Sequence, residues 1–135
     1  MQVNLFRTMY CCPVMQEQQQ GHIVNVSSVA GRTASAGVGA YNASKWGVGT
    51  FSEMLRQELC KSGVRVTVVE PGWVNTPLYD EIASGAMQEQ ISRWQEGIGE
   101  PLSPEDVAGA IGFALSQPQR VNVNEILLRP TGQVN

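Results

Sequence analysis

The sequence predicts an α/β fold, with about three parallel strands of a doubly wound sheet and helices on both faces. Short runs rich in Val and Ile alternate with longer segments whose apolar residues recur at helical spacing. This alternation produces parallel pairing through right-handed crossovers. Because so few strands are predicted, we expect residues 1–135 to form one partial domain, with an open sheet edge.

The first helix and the first strand are predicted over residues 1–19 and 22–28. Residues 1–19 carry apolar side chains three or four positions apart, and Pro13 interrupts this pattern. Residues 22–28 form a β-branched run that follows Gly21 and leads into a loop rich in Gly, Ser and Ala. Such a run is typical of a buried strand.

A second helix is predicted to begin near Ala43 and to end before Gly63. The apolar residues between them are spaced three or four apart, and Lys61 gives a cationic last turn before the glycine cap. Residues 64–70 contain four valines and are followed by Pro71-Gly72, which predicts a second strand.

The last helix and strand follow a loosely amphipathic stretch over residues 76–100, which could be a substrate lid or a simple packed helix. Ser103 is a candidate N-cap, with Pro104 at the first helical position and Asp106 three residues after the cap. We interpret this motif as a helix start without a chemical role. Residues 125–129 are predicted as the third strand.

Composition and charge exclude several classes of protein. Nine basic and twelve acidic side chains give a net charge of −3, which argues against a nucleic-acid or membrane partner. No apolar run could span a bilayer, and no secretory leader is recognisable. The three cysteines have no metal-ligand spacing, so we expect no metal site and a reducing, cytoplasmic setting.

Polar residues with chemical potential follow the predicted strands. Ser28 ends the first strand and Pro71-Gly72 ends the second, so both are expected at the sheet edge where ligands bind. Tyr41 and Lys45 lie four residues apart, which places them on one face of a helix. A Tyr-x-x-x-Lys pair alone is weak, since roughly one chain in five has one by chance. The pair gains weight from Ser28, thirteen residues before Tyr41.

Taken together, these motifs resemble the catalytic half of a short-chain dehydrogenase/reductase, a family with a Rossmann-like fold. The intervals from Ser28 to Tyr41 and from Tyr41 to Lys45 match the family pattern, whereas Asn4 lies closer to Ser28 than is usual. Residues 124–131 resemble the final strand of a branch that acts on 3-hydroxy acids and related small alcohols.

The resemblance implies an NAD(P)-dependent oxidoreductase that interconverts a small alcohol and a carbonyl by hydride transfer. Tyr41 would be the general acid/base, Ser28 would bind the substrate oxygen, and Asn4 would anchor a proton-relay water. Lys45 would favour the phenolate and bind the nicotinamide ribose. A free phenol ionises at about pH 10, which is too high for a base near neutrality. A cation beside the phenol favours the phenolate and so lowers this value.

The family pattern also implies the cofactor and the assembly. NAD or NADP is expected, with NADP slightly favoured, and the full-length form would be a homodimer or homotetramer acting on a small molecule. Gly72 would let the main chain approach a flat ring, and Pro71 would fix the direction of the strand exit. The implied cofactor-binding residues are Tyr41, Lys45, Pro71, Gly72, Val74 and Thr76.

The family's glycine-rich phosphate turn, Thr-Gly-x-x-x-Gly-x-Gly, does not occur in residues 1–135. The pyrophosphate of a dinucleotide binds such a turn and the helix that follows it. We therefore expect the N-terminal dinucleotide-binding half to be missing and this chain to be inactive alone. Two functions stay open: the catalytic half of an oxidoreductase, or a truncated, inactive remnant or dimerisation module.

Several other polar and aromatic residues are expected to have structural roles. Ser27 should point away from Ser28 in a strand, and Asn25 should anchor the strand or its turn. His22, at the beginning of the strand, is expected at the surface. Three side chains of the second helix are expected in the core or between helices: Trp46, Phe51 and Leu55.

Overall fold

The computed structural model describes residues 2–34, 36–77, 92 and 95–134, with the backbone alone for residues 2–7. Within these residues, the main helices are α1 (Gln2–Gln18), α2 (Gly39–Leu59) and α3 (Pro104–Ser116). The three strands are β1 (Gly21–Val26), β2 (Val64–Pro71) and β3 (Glu125–Leu128). Short 3-10 helices follow β1, at Val29–Gly31, and α2, at Cys60–Ser62.

The strands form one parallel sheet in the order β1-β2-β3, so the predicted architecture is confirmed. In the first pairing, Gly21 lies opposite Val64 and Val26 lies opposite Val69. In the second, Pro71 lies opposite Leu128. This register brings the carboxyl ends of β1 and β2 to the same edge, where Ser27 N–H donates to Val69 O at 2.8 Å.

Helices cover both faces of the sheet. On one face, α1 and α2 pack against the side chains of β1 and β2, and this core contains Cys12, Ile23, Leu55, Leu59, Val64 and Val66, with Met15 and Phe51 beside it. On the other face lies α3, whose Ala114 is fully buried. Arg65 of β2 reaches the end of α3, where its guanidinium donates to Gln117 O at 2.9 Å.

Two predicted boundaries differ from the structure for local reasons. The strand β1 ends at Val26 rather than Ser28, because Ser28 caps the 3-10 helix that follows. The helix α2 begins at Gly39, before the predicted Ala43. By contrast, the predicted capping box of α3 is confirmed, since Ser103 and Asp106 bond reciprocally.

Two predicted residue environments are wrong. His22 is half-buried rather than at the surface, and its Nε2 lies 2.7 Å from Thr67 Oγ1 of β2. Trp46 is 51% exposed rather than in the core, with its indole N–H donating to Thr33 O at 3.3 Å. Leu55 and Phe51 do lie at the predicted core.

The amphipathic stretch predicted over residues 76–100 lies largely outside the described residues, including Tyr79, Ile82, Met87 and Trp94. Within the described ranges, no helix is long and apolar enough to cross a lipid bilayer.

Candidate active site

Ser28 lies just beyond the carboxyl end of β1, buried and with an extended backbone (φ −170°, ψ 161°). Its hydroxyl caps the following 3-10 helix by accepting a hydrogen bond from Ala30 N–H at 3.2 Å. Because this bond uses an oxygen lone pair, the hydroxyl hydrogen stays free to be donated. The serine is thus held in one orientation while it keeps a donor for an incoming oxygen.

Tyr41 and Lys45 lie in the first two turns of α2, as the spacing predicts. The Lys45 ammonium lies 5.6 Å from the centre of the Tyr41 ring. It also donates to Val26 O, at 3.5 Å, on the last residue of β1. Lys45 therefore links the aromatic ring on the helix to the strand end that precedes Ser28.

Lys45 is a partly desolvated cation. Burial lowers the pKa of the Lys45 ammonium, because water no longer fully solvates its charge. The face of the Tyr41 ring is the aromatic surface beside this charge. A partly desolvated cation thus lies beside the Tyr41 ring at this end of the sheet.

The main chain of α2 is fixed against the end of β1 by two close contacts. Ser27 donates its hydroxyl hydrogen to Lys45 O at 3.0 Å. Gly31 packs against the same carbonyl group, since a Cβ at Gly31 would lie 3.0 Å from Lys45 O. Ser27 has the structural role expected of it. The contact between Gly31 and Lys45 O was not predicted from the sequence. The available signal was a glycine three residues after Ser28.

The loop between Ser28 and Tyr41 is fastened to its surroundings at two points. Asn42 donates to Thr33 O at 2.7 Å, which ties the loop to α2. Arg32 forms a bidentate pair with the buried carboxylate of Glu70 on β2, with Nε lying 3.0 and 2.9 Å from the two oxygens. Arg32 also pairs with Glu125 at the start of β3. These contacts hold the loop that begins at Ser28 on the sheet.

Pro71 is the last residue of β2, and the turn that it begins is held by neighbouring main chain. Gly72 N–H donates to Leu128 O at 2.7 Å. Val74 forms an isolated parallel bridge with Leu102, whose carbonyl accepts from Asn75 N–H at 2.8 Å. Thr76 lies exposed beyond this bridge.

The structure therefore brings Ser28, Lys45 and Tyr41 to one end of β1, beside the turn that begins at Pro71. Asn4 lies in α1, and its side chain is outside the described residues. The convergence of the Ser28, Tyr41 and Thr76 hydroxyls around a substrate stays a prediction. Within the described parts of the chain, no three His, Cys, Asp or Glu side chains are grouped as metal ligands would be.

Asn25 is a structural anchor, in agreement with the sequence prediction. Its buried side chain donates to Ser52 Oγ of α2 at 2.9 Å and accepts from Thr8 Oγ1 of α1 at 3.4 Å. One strand residue thus joins the two helices that cover this face.

Comparison with known proteins adds independent information. The family model described as short chain dehydrogenase matches residues 1–86. An oxidoreductase of Staphylococcus saprophyticus is 39% identical over 132 residues, covering 95% of this chain and 51% of the relative. An oxidoreductase of Staphylococcus aureus is 36% identical over 132 residues, covering 95% of this chain and 52% of the relative.

Solved structures give the same result. Serine dehydrogenase from Escherichia coli superposes with a TM-score of 0.78 at 32% identity, covering 98% of this chain and 50% of that one. The closed form of serine dehydrogenase with NADP+ gives a TM-score of 0.84 at 32% identity, covering 98% of this chain and 53% of that chain. This chain spans about half the length of the curated relatives that it matches. By its sequence, its sheet and the elements that carry Ser28, Tyr41 and Lys45, the chain belongs to the short-chain dehydrogenase/reductase family.

Proposed function

We propose that this chain is the catalytic half of an NAD(P)-dependent oxidoreductase that interconverts a small alcohol and the corresponding carbonyl compound. The observation that carries the proposal is the position of Lys45, between the Tyr41 ring and the carboxyl end of β1. Ser28 follows that strand end with a hydrogen to donate. This arrangement supplies a proton donor, a cation that favours its conjugate base, and a donor for the reacting oxygen.

Each residue has a separate task in carbonyl reduction. When bound, the nicotinamide supplies the hydride. Tyr41 donates its phenolic proton to the oxygen that becomes the alcohol, and in oxidation the phenolate takes this proton back. Lys45 stabilises the phenolate and would bind the nicotinamide ribose. Ser28 donates to the substrate oxygen and keeps it beside the phenol, and Asn4 would hold the water that passes protons to Lys45.

The residues present fit the nicotinamide end of the cofactor. In the turn after β2, the Val74 main chain and Thr76 would contact the nicotinamide carboxamide. Gly72 would let the main chain approach the ring, and Pro71 would fix the direction of the strand exit. Tyr41 and Lys45 complete this part of the site. The glycine-rich turn for the pyrophosphate does not occur in the sequence, and in our proposal it belongs to the other half of the enzyme.

The solved relatives support a finer assignment of cofactor and substrate. The serine dehydrogenase that superposes with a TM-score of 0.84 was solved with NADP+, which favours NADP over NAD here. Serine is a 3-hydroxy acid, the class that the resemblance of residues 124–131 also suggests. We therefore propose a small 3-hydroxy acid as substrate. The free thiols of Cys11, Cys12 and Cys60 support a cytoplasmic enzyme, because a reducing compartment keeps thiols unpaired.

A homo-oligomer is supported by exposed apolar side chains on α1 and α2. Tyr10 is 80% exposed, and Met9, Val14, Trp46 and Met54 are also exposed. These exposed side chains also favour the second candidate function, a catalytically inactive dimerisation module. Cofactor binding and turnover distinguish the two.

The test uses a chimera in which the half of the Staphylococcus saprophyticus relative outside the aligned region is joined to this chain. The chimera should oxidise small 3-hydroxy acids with NADP+, whereas the 135-residue chain should bind NADH and NADPH weakly or not at all. Micromolar binding by the chain alone would show that it is a complete module.

Variants of the chimera test the residue roles. Tyr41→Phe should lower turnover by about 10²–10⁴-fold, the usual contribution of a general acid, while cofactor affinity is kept. Lys45→Ala should impair both turnover and cofactor binding. Tyr10→Phe, the same substitution at an exposed tyrosine of α1, is the matched control: it keeps the apolar ring that an oligomer contact would use and should keep wild-type activity. A Tyr41→Phe enzyme with more than about a hundredth of the normal rate would contradict the assignment.

A further inference from the structure

The C-terminal segment folds back onto the turn that follows β2. Gln133 is only 7% exposed, and its side-chain oxygen Oε1 accepts a hydrogen bond from Trp73 N–H at 2.9 Å. The Gln133 main chain is itself held in a tight turn, since its N–H donates to Pro130 O at 2.9 Å. A buried side-chain amide, 60 residues away in sequence, therefore fixes a main-chain group within the proposed cofactor turn.

The Gln133 side chain occupies the space that a side chain at position 72 would need. A Cβ on Gly72 would overlap Gln133 Oε1 and would lie 3.0 Å from Gln133 Cδ and 3.2 Å from Pro130 Cδ. The space that any other residue would need at position 72 is thus filled by the C-terminal segment. Packing therefore explains the glycine at position 72 independently of any ligand.

The C-terminal segment also packs against a second part of the chain. A Cβ on Gly132 would overlap Ile98 O, so the main chain at Gly132 lies directly against the segment that precedes α3. This contact fixes the main chain of the segment that carries the Gln133 side chain.

We propose that Gln133 is a positioning residue for the cofactor turn: by accepting from Trp73 N–H, it fixes the main chain that receives the nicotinamide end of the cofactor. The inference rests on the proposed function for its catalytic consequence, whereas the anchoring itself does not. Gln133 acts through the turn and not on the reacting atoms. Its loss should therefore weaken cofactor binding without altering the pH dependence of turnover.

The anchor is tested first in the 135-residue chain without cofactor, by hydrogen–deuterium exchange of peptides that contain Trp73. Gln133→Met keeps the length of the side chain but removes the acceptor, and it should speed exchange at Trp73 about tenfold, as expected for the loss of one buried hydrogen bond. Gln133→Glu keeps an acceptor oxygen and should restore most of the protection. Gln57→Met, the same substitution at an exposed site on α2, is the control and should change nothing at Trp73.

Gly72→Ala provides a second, independent variant. The added methyl group should displace the flexible end of Gln133, so Gly72→Ala and Gln133→Met should expose Trp73 N–H to a similar degree. The double variant should exchange no faster than either single variant, because all three lose the same bond. Unchanged exchange in Gln133→Met, or fully additive effects, would overturn the anchoring role whether or not the protein is an enzyme.

The catalytic consequence is measured in the active chimera. Gln133→Met should raise the KM for NADP+ about tenfold while the pH profile of kcat keeps its wild-type midpoint. A shifted pH profile, or an unchanged KM, would refute a positioning role at the cofactor turn. An inactive chimera with the wild-type Gln133 would refute the proposed function instead. The exchange experiment would still show whether Gln133 anchors Trp73 N–H.

Discussion

Replacing Asn25 by alanine should destabilise the fold more than its position near a strand end suggests. The side chain is buried between three elements and makes hydrogen bonds to Ser52 of α2 and Thr8 of α1. Ser52 in turn donates to Val48 O at 2.7 Å, so it keeps one bond when Asn25 is removed. Asn25→Ala therefore removes the polar contacts that join α1 and α2 to β1, but it leaves Ser52 partly satisfied.

The magnitude follows from these contacts. Two neutral hydrogen bonds contribute about 1 kcal/mol each, and polar groups left beside the small void cost about 1 kcal/mol more. We expect the free energy of unfolding to fall by about 3 kcal/mol. For 135 residues, the average unfolding entropy per residue converts this loss to a decrease of about 10 °C in Tm.

Urea denaturation of Asn25→Ala and wild type measures the difference, which should move the midpoint without changing the slope. A double-mutant cycle with Ser52→Ala should give a coupling energy of about 1 kcal/mol for the bond between the two side chains. Asn75→Ala, at an exposed asparagine, is the control and should lie within about 0.5 kcal/mol of wild type. A loss below about 0.5 kcal/mol for Asn25→Ala would refute the reasoning.

Three further predictions concern a helix cap, a histidine and the thiols. Ser103→Ala removes one half of the capping box of α3 and should cost about 1 kcal/mol by urea denaturation; an unchanged midpoint would contradict this. Burial and the nearby Arg65 charge lower the pKa of His22, so the unfolded chain binds more protons and stability should fall as the pH drops below about 6.5. His22→Gln should lessen that fall, and an identical pH dependence in both proteins would rule out His22 as its source. Of the three thiols, Cys11 and Cys60 are exposed and should react with a thiol reagent in the native protein. Cys12 is buried and its pKa is raised, so it should react only after unfolding. Mass spectrometry of the labelled protein, native and unfolded, counts the thiols that have reacted.

The element order and the parallel sheet could be predicted because each depends on a local pattern. The start of α3 was equally clear, since Ser103 and Asp106 form a complete capping box. The start of α2 was not, because its N-cap is Val38, which makes no side-chain cap bond. Without a capping residue, the pattern alone placed the helix start too late.

Long-range contacts account for the features that the sequence did not predict. The helical spacing of Trp46 shows which residues share a face but not whether a neighbour covers that face. The bond between His22 and Thr67 joins residues 45 apart and depends on the register of two strands. Gln133 and Trp73 are still farther apart, so no local pattern connects them.

The hydrogen bonds that hold Lys45 have a consequence for protein engineering. They reach Val26 and Ser27, only 19 and 18 residues earlier, and Gly31 packs against the same turn of helix. These contacts of Lys45 therefore all lie within the segment from Val26 to Lys45, so this segment could be transferred between proteins as one unit. In the proposed chimera, exchanging the relative's half for that of another family member should therefore leave the contacts of this segment unchanged.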